Sequence, residues 1–447
     1  MPSEDFTRTL CKQILQRCGN TPAEVLISVE NNALTRFANN AIHQNVAESN
    51  LTLTARLLLG KQSGVATTNR VDPAALDEVV ARARLNAQAS PENPDDPGLA
   101  DPAEYLSVQV FDSSTAEYSP LQRAREVAAV CQLAKEKRVN ASGAFSTGYY
   151  EIALANSQGV FAYHVATQAD FQTVVMSEDS SGRAHASGWR VADLAPQALG
   201  QEAIEKAERG RDPRPLEPGE YTVVFDPYVT QDLVFMLAYS GMGALTVQEG
   251  RSWMNDRIGT KAMSAQVSIW DDGLDPAGIP MPFDFEGVPK QRVDLVKEGI
   301  VRGPVFDRYT ARKDGVSSTG HGLPIAWRSW GPMPTNIFFS TGASNVAEMI
   351  RATRRGLYIT RFWYTRVVHP RYCVVTGMTR DGVFLIENGE LAYAVKNLRF
   401  TQSYVSALNE VEMIGRETRL LGSEYSIASV RVPALKIARF NFTGATA

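Results

Sequence analysis

Arg209-Gly-Arg-Asp-Pro-Arg-Pro-Leu-Glu-Pro-Gly219 divides the chain of 447 residues into two parts of different character. Pro213, Pro215 and Pro218 fix φ and remove backbone donors, so the stretch belongs neither to a helix interior nor to a central strand. Its charges and glycines complete the composition of a domain linker. Two domains are expected, residues 1–210 and 220–447.

On the N-terminal side, Phe6, Leu10, Ile14, Leu15 and Cys18 recur at helical spacing and predict an opening helix. Val25, Ile27 and Val29 alternate, as do Leu51, Leu53, Ala55 and Leu57, which predicts two half-buried strands separated by the polar run Asn31–Asn45. Asp72 before Pro73 is an N-cap and first-turn pair, opening a helix to about Ala89. Four prolines between Ser90 and Pro102 make a loop and a subdomain break. Beyond it, a helix from about Pro120 to Lys137 leads through two strands, joined at Asn156-Ser-Gln-Gly159, to a further helix near Pro196–Glu208. The order helix, strand, strand thus occurs twice, an arrangement consistent with a duplicated unit although the two copies share few residues.

Past Gly219 the sequence is mostly short β-like runs: Tyr221–Phe225, Asn336–Ser340, Gly382–Ile386 and Ser426–Val432. Two helices interrupt them. Tyr228 to about Val247 is apolar nearly all round and should be buried. The other has Asn345 as N-cap, Glu348 three residues later and Gly356 at the expected C-terminal stop. The fold class is α+β, an N-terminal α/β region followed by a β-rich C-terminal domain.

Composition narrows the function. With 44% hydrophobic residues, 21% charged residues and a formal net charge of −4, the chain has no field that would recruit nucleic acid or anionic lipid. The most apolar stretch, Leu233–Val247, is interrupted by Ser240, Gly241 and Gly243 and is shorter than a membrane span requires. Met1-Pro-Ser-Glu-Asp-Phe-Thr-Arg8 lacks the basic start of a secretory signal, so a cytoplasmic location is expected. Cys11, Cys18, Cys131 and Cys373 are too scattered for a disulfide framework.

Local motifs carry little chemistry. His369 and Cys373 are four apart, which suits two ligands on one helix, but Pro370 and the β-like Tyr372-Cys-Val-Val375 oppose a helix, and in a strand the pair would stand about 13 Å apart. His43, His164 and His185 are isolated. Gly241-Met-Gly243 is not followed by the Lys-Ser/Thr of a phosphate loop. No Gly-x-Ser-x-Gly elbow occurs. Asp271, Asp272 and Asp275 lack EF-hand spacing and read as a solvated turn. Arg351-Ala-Thr-Arg-Arg355 reads as a helix end, and Arg361-Phe-Trp-Tyr-Thr-Arg366 as a strand with outward arginines.

Several segments nevertheless resemble one family, in order over nearly the whole chain. They are Arg36-Phe-Ala-Asn-Asn-Ala-Ile-His-Gln-Asn45, Ala155-Asn-Ser-Gln-Gly159, Ser317-Ser-Thr-Gly-His-Gly322, Pro334-Thr-Asn336 running to Gly342, Glu348 to Leu357, and Leu385-Ile-Glu-Asn-Gly-Glu390. Together they are similar to the TldD/PmbA family, also called modulators of DNA gyrase. The resemblance implies dimers of two homologous subunit types that enclose an unfolded peptide. The TldD type carries a His-Glu-x-x-x-His helix plus a distant cysteine, which together bind zinc; the PmbA type, also called TldE, lacks them. In Asp232–Gly243 the corresponding positions hold Leu237, Ala238 and Met242, none able to ligate zinc or take a proton from water. No histidine lies between His185 and His321, and no cysteine follows Cys373.

The resemblance therefore implies a zinc-free subunit with no catalytic residues, metal ligands or cofactor of its own. Its expected partners are a zinc-bearing TldD-like subunit, or a second copy, together with unfolded peptide held by strand addition. Ser318, Thr319, Gly320, His321 and Asn388 are the candidate peptide-binding residues, set in polar, glycine-containing loops of a cleft. Asn388-Gly389 also has the composition of a two-residue hairpin turn. An independent homodimeric hydrolase and a gyrase-associated binding protein are the competing readings.

Overall fold

A computed structural model of the chain describes residues 3–422 and 428–445. Its first half begins with α1 (Glu4–Cys18), β1 (Ala23–Ala38), β2 (Ala41–Leu59), β3 (Gln62–Thr68) and α2 (Pro73–Ala89). After the short α3 (Ser113–Ala116), the same order returns as α4 (Pro120–Glu136), β4 (Asn140–Asn156), β5 (Phe161–Met176), β6 (Ser181–Gly188) and α5 (Pro196–Arg209). The duplication is real, and larger than the sequence indicated. Each unit has a third strand and a closing helix.

The two units join through antiparallel β1 and β4, with Ser28 opposite Ile152, into one sheet of order β3-β2-β1-β4-β5-β6. Odd-numbered residues of β1, β2 and β4 point towards the helices. Val25, Ile27, Leu53 and Ala155 pack under α1 and α2, while Phe37, Phe145 and Phe171 pack under α4 and α5. All four helices thus cover one face and leave the other polar.

The run Asn31–Asn45 is not a loop between strands. It forms the far end of the β1–β2 hairpin, which turns at Asn39 and Asn40, both in the left-handed region with φ of 51° and 59°. No period-2 pattern marked it, because most of Ala41–Asn50 is exposed on both faces.

The C-terminal domain comprises β7 (Gly219–Phe225), α6 (Pro227–Gly241), α7 (Ala244–Gln248), β8 (Ile269–Asp271), β9 (Val293–Lys297), β10 (Ile300–Val301), α8 (Arg308–Asp314), β11 (Asn336–Phe339), α9 (Val346–Arg351), β12 (Arg355–His369), β13 (Val374–Glu387), β14 (Glu390–Ala394), β15 (Leu398–Ser403), α10 (Tyr404–Asn409), β16 (Val411–Gly422) and β17 (Ser429–Ala445). Strands β7, β12, β13, β15 and β17 pair in sequence, and β17 pairs back to β7, so they close into a ring. Phe225, Phe362, Phe400 and Phe440 meet inside it with centroids 4.2–5.6 Å apart. Helix α6 packs Leu233, Val234 and Leu237 into the same core.

Three details differ from the sequence reading. The helix expected to reach Val247 stops at Gly241, since a Cβ on Gly243 would lie 2.0 Å from the Pro332 carbonyl oxygen, and the chain restarts as α7. The Asn345–Glu348 capping box is present, but α9 ends at Arg351 and Gly356 lies in β12. Of the arginine run, only Arg351 is helical. The expected strand Ser426–Val432 has its first two residues outside the described ones and otherwise belongs to β17.

The domains are tied at several points. Arg308 donates to the carbonyls of Gly98 and Leu99 in the proline-rich loop, at 2.8 and 2.7 Å, and Arg328 pairs with Glu24 of β1 at 3.2 Å.

Candidate functional site

The polar face of the N-terminal sheet looks across at the C-terminal domain, and between them lies a cavity of about 1000 Å³. Glu30, Asn32, Gln168, Gln172 and His185 form its floor. Met281, Phe283, Leu323 and Trp327 give it an apolar wall, and Lys290, His321, Arg361 and Asp381 a polar one. Amides and short acids beside aromatic and aliphatic walls suit an extended chain, whose backbone needs donors and acceptors while its side chains seek apolar contact.

The polar wall is built around Asp271. Its Oδ1 lies 2.8 Å from His321 Nε2, and its Oδ2 accepts from the backbone N–H groups of Thr335 and Asn336 at 2.6 and 2.8 Å. Burial alone would push this carboxyl up; the ammonium of Lys290, with His321 and the N–H donors, holds it below its usual range. The same burial and the Lys290 charge push His321 down, against the opposing pull of Asp271. Lys290 itself is pushed down by burial and donates to Thr335 Oγ1 at 2.6 Å. Beside it Asp284 accepts from the backbone of Glu286, Val288 and Gly322, at 2.9, 2.9 and 2.7 Å. Burial, with the neighbouring Glu286, pushes its carboxyl up to about 7.

Asp271 is therefore no solvated turn; it is a fully buried junction between β8, β11 and the Ser317–Gly322 loop. That loop is exposed at Ser317 and buried from Gly320 to Gly322. His321 is buried, Ser318 donates to the Phe306 carbonyl at 3.1 Å, and Thr319 is held by both backbone groups of Phe306. Gly320 has φ of 75°, and a Cβ there would lie 2.4 Å from the Pro289 carbonyl oxygen. Of the candidate peptide-binding residues only His321 lines the cavity. Asn388 lies elsewhere, in the β13–β14 hairpin turn, with φ of 51°.

Sequence reasoning missed two further groupings. Arg361 is not outward: it is buried and its Nη1 lies 2.7 Å from Asp381 in the cavity wall. Asp170, His185 and Ser187 also converge, because Asp170 and Ser187 are directly opposite in the β5–β6 register. His185 Nε2 lies 2.7 Å from Asp170 Oδ2, and Ser187 donates to that same oxygen at 2.6 Å. A proton relay needs the imidazole to bridge acid and hydroxyl through its two different nitrogens. Here both meet Nε2, and the Gly422 N–H donates to Ser187 Oγ at 3.0 Å, so the trio fastens β6 to β16 and does not activate the serine.

A zinc ion does not fit α6. Leu237, Ala238 and Met242 are buried among apolar neighbours, and the Leu237 carbonyl is taken by Trp253 Nε1 at 2.8 Å. His369 and Cys373 form no pair on a helix: His369 ends β12 and is exposed, while Cys373 is buried and accepts from Ser240 Oγ at 3.3 Å. Among the described residues no three His, Cys, Asp or Glu side chains are placed to share a metal ion. Also among them, no helix is long and apolar enough to cross a membrane. His164, buried on the same face of β5 as Gln168, meets the Pro280 carbonyl at 3.1 Å, and burial pushes it down to about 4.

Comparison with known proteins follows the same division of the chain. Models of PmbA/TldA metallopeptidase domain 1, central domain and C-terminal domain match residues 23–87, 100–211 and 218–444. The chain is 26% identical over 395 residues to metalloprotease PmbA of Escherichia coli O157:H7, covering 84% of this chain and 83% of that one. It is 24% identical over 410 residues to the metalloprotease TldD homolog of Haemophilus influenzae, covering 86% and 84%. Identity to the PmbA relative and to the TldD homolog is therefore nearly the same. In fold the chain is similar to TldE from Thermococcus kodakarensis, with a TM-score of 0.88 and 18% identity over 98% of this chain and 100% of that one.

Proposed function

The chain belongs to the PmbA/TldA metallopeptidase family, and we propose that within it this protein is the zinc-free subunit of a two-subunit protease, helping to enclose and position an unfolded peptide for a zinc-bearing, TldD-like partner. The observation that carries this reading lies at the end of α6, where Leu237, Ala238 and, just past the helix, Met242 stand buried and apolar at the positions the resemblance assigns to the family's ligands. Single-zinc hydrolysis needs imidazoles about 2 Å from the metal and a carboxylate beside its water. This helix supplies neither. What the chain retains is the cavity, whose floor of Asn32, Gln168 and Gln172 offers hydrogen bonds to peptide backbone of any sequence, and whose Met281, Phe283, Leu323 and Trp327 receive apolar side chains and exclude water.

The test is reconstitution. The purified chain should not cleave a labelled unfolded polypeptide. Mixed with a homologue carrying His-Glu-x-x-x-His, it should raise that homologue's cleavage, and a chelator should abolish the gain. Chelator-insensitive cleavage by the chain alone would instead support an independent hydrolase.

A further inference from the structure

Strand β2 is longer than the strand that covers it. β3 pairs with its outer edge only from Leu53 to Leu59. From Ala41 to Thr52 that edge has no neighbouring strand and, among the described residues, no backbone hydrogen bond from outside the hairpin. At about 3.3 Å per residue the bare stretch is roughly 40 Å long. Proteins protect such edges with lysine, proline or very short strands, because a free row of N–H and C=O groups pairs with any extended chain. Here there is no Lys, Arg or Pro between Ala41 and Thr52, and Glu48 is the single charged side chain. A bulge opposite Arg36 and Phe37 lies only at the hairpin tip.

Other edges are managed, and where β12 runs past β7, from Thr360 to His369, it is broken by bulges and carries Arg361 and Arg366. β10 has two residues and β14 five, and Arg214 bridges to Val395 just past the end of β14. β6 is held against the C-terminal domain by Ser181–Asp381 and Ser187–Gly422. Most telling is the duplicated unit. The equivalent stretch of β5, ahead of its pairing with β6 at Ala169, is met at its inner end by the chain itself: Val110 pairs parallel with Ala166, and the Thr167 N–H donates to the Val110 carbonyl at 3.0 Å. The same architecture therefore accepts an extended segment on one side and lacks it on the other.

The bare edge also adjoins the cavity. Asn50 and Glu48 stand opposite Glu30 and Asn32, which line its floor, so a strand added to β2 would widen that floor. We infer that the β2 edge from Ala41 to Thr52 docks an edge strand of the zinc-bearing partner subunit by β-addition, joining both subunits in one sheet beneath the cavity. This rests on the two-subunit reading above.

Amide hydrogen exchange of the wild-type chain, alone and mixed with the His-Glu-x-x-x-His homologue, tests it without any variant. Outward amides between residues 41 and 52 should exchange rapidly alone and become protected in the complex. Ala47→Lys with Ser49→Lys, both exposed positions, should weaken association by roughly tenfold or more with an unchanged melting temperature. A complex that leaves these amides unprotected, or that the double variant joins as tightly as wild type, overturns the docking site while sparing the two-subunit reading. Absence of any complex with the wild-type chain overturns both. Self-association that protects residues 41–52, unaffected by the homologue, assigns the edge to a second copy and overturns the inference.

Discussion

His321 Nε2 stands 2.8 Å from Asp271 Oδ1 with both side chains fully buried. The contact joins a loop to a strand fifty residues away, so it is a structural lock as well as part of the cavity wall. His321→Ala leaves the Asp271 carboxylate buried with Lys290 and two N–H donors but without its imidazole. We expect a loss of about 2–3 kcal/mol in denaturant unfolding, as for a hydrogen bond to a buried charge. Ser318→Ala, which removes two half-buried hydrogen bonds, one to the Phe306 carbonyl and one from the Gly320 N–H, should cost about 1–2 kcal/mol. Equal, small losses from both would show that the loop is surface after all.

That contrast measures how far the sequence could be read. Local rules found what local residues determine: the Asp72–Pro73 and Asn345–Glu348 helix starts are where capping chemistry put them, and the order of elements displayed the duplication. The hairpin end Asn31–Asn45 was illegible because a strand exposed on both faces has no alternation to betray it. Asp271–His321 and Arg361–Asp381 were illegible for another reason. Charged residues in polar-looking segments read as surface, and only the packed domains supply the partners that allow their burial. The apolar types of Leu237, Ala238 and Met242, by contrast, need no structure to be read.

Asp284 gives a pH test. Burial and Glu286 push its carboxyl up to about 7, so the folded state holds this proton more tightly than the unfolded chain. Such a group stabilises the fold at acid pH, and its contribution is lost as pH rises through about 7. Glu286→Gln removes the neighbouring charge and lowers the raised value. Its stability relative to wild type, read from urea unfolding, should therefore improve between about pH 4 and pH 8, over any constant offset from weakening the bond that the Arg308 N–H donates to Glu286 Oε2 at 2.9 Å. A difference that is flat, or that falls as pH rises, would show that Glu286 does not set the Asp284 proton.

Cys373 bears on whether the C-terminal thiol has any metal or redox role. Burial pushes it up to about 12, and Ser240 Oγ donates to its sulfur. The thiolate is the reactive and ligating form. In the native chain Cys373 should resist an aromatic disulfide reagent that labels it at once after unfolding in urea, and His369→Ala should leave its rate unchanged. Rapid native labelling that zinc suppresses would establish a His369–Cys373 site.

The last prediction asks whether α6 is a metal site merely lacking its ligands. Leu237→His, Ala238→Glu and Met242→His together would restore the residue types of the family motif. All three positions are buried, at 0%, 2% and 0% exposure, in a core filled by Val234, Trp253 and their neighbours. Each new polar group loses water without a prepared partner, at about 1–3 kcal/mol apiece. The sum is comparable with the whole stability of a typical domain, roughly 5–15 kcal/mol. The triple variant should melt far below wild type or fail to fold, and elemental analysis should find well under one zinc per chain. Stoichiometric zinc in a variant that melts like wild type would mean that α6 still holds a latent site, and the two-subunit reading would lose its main support.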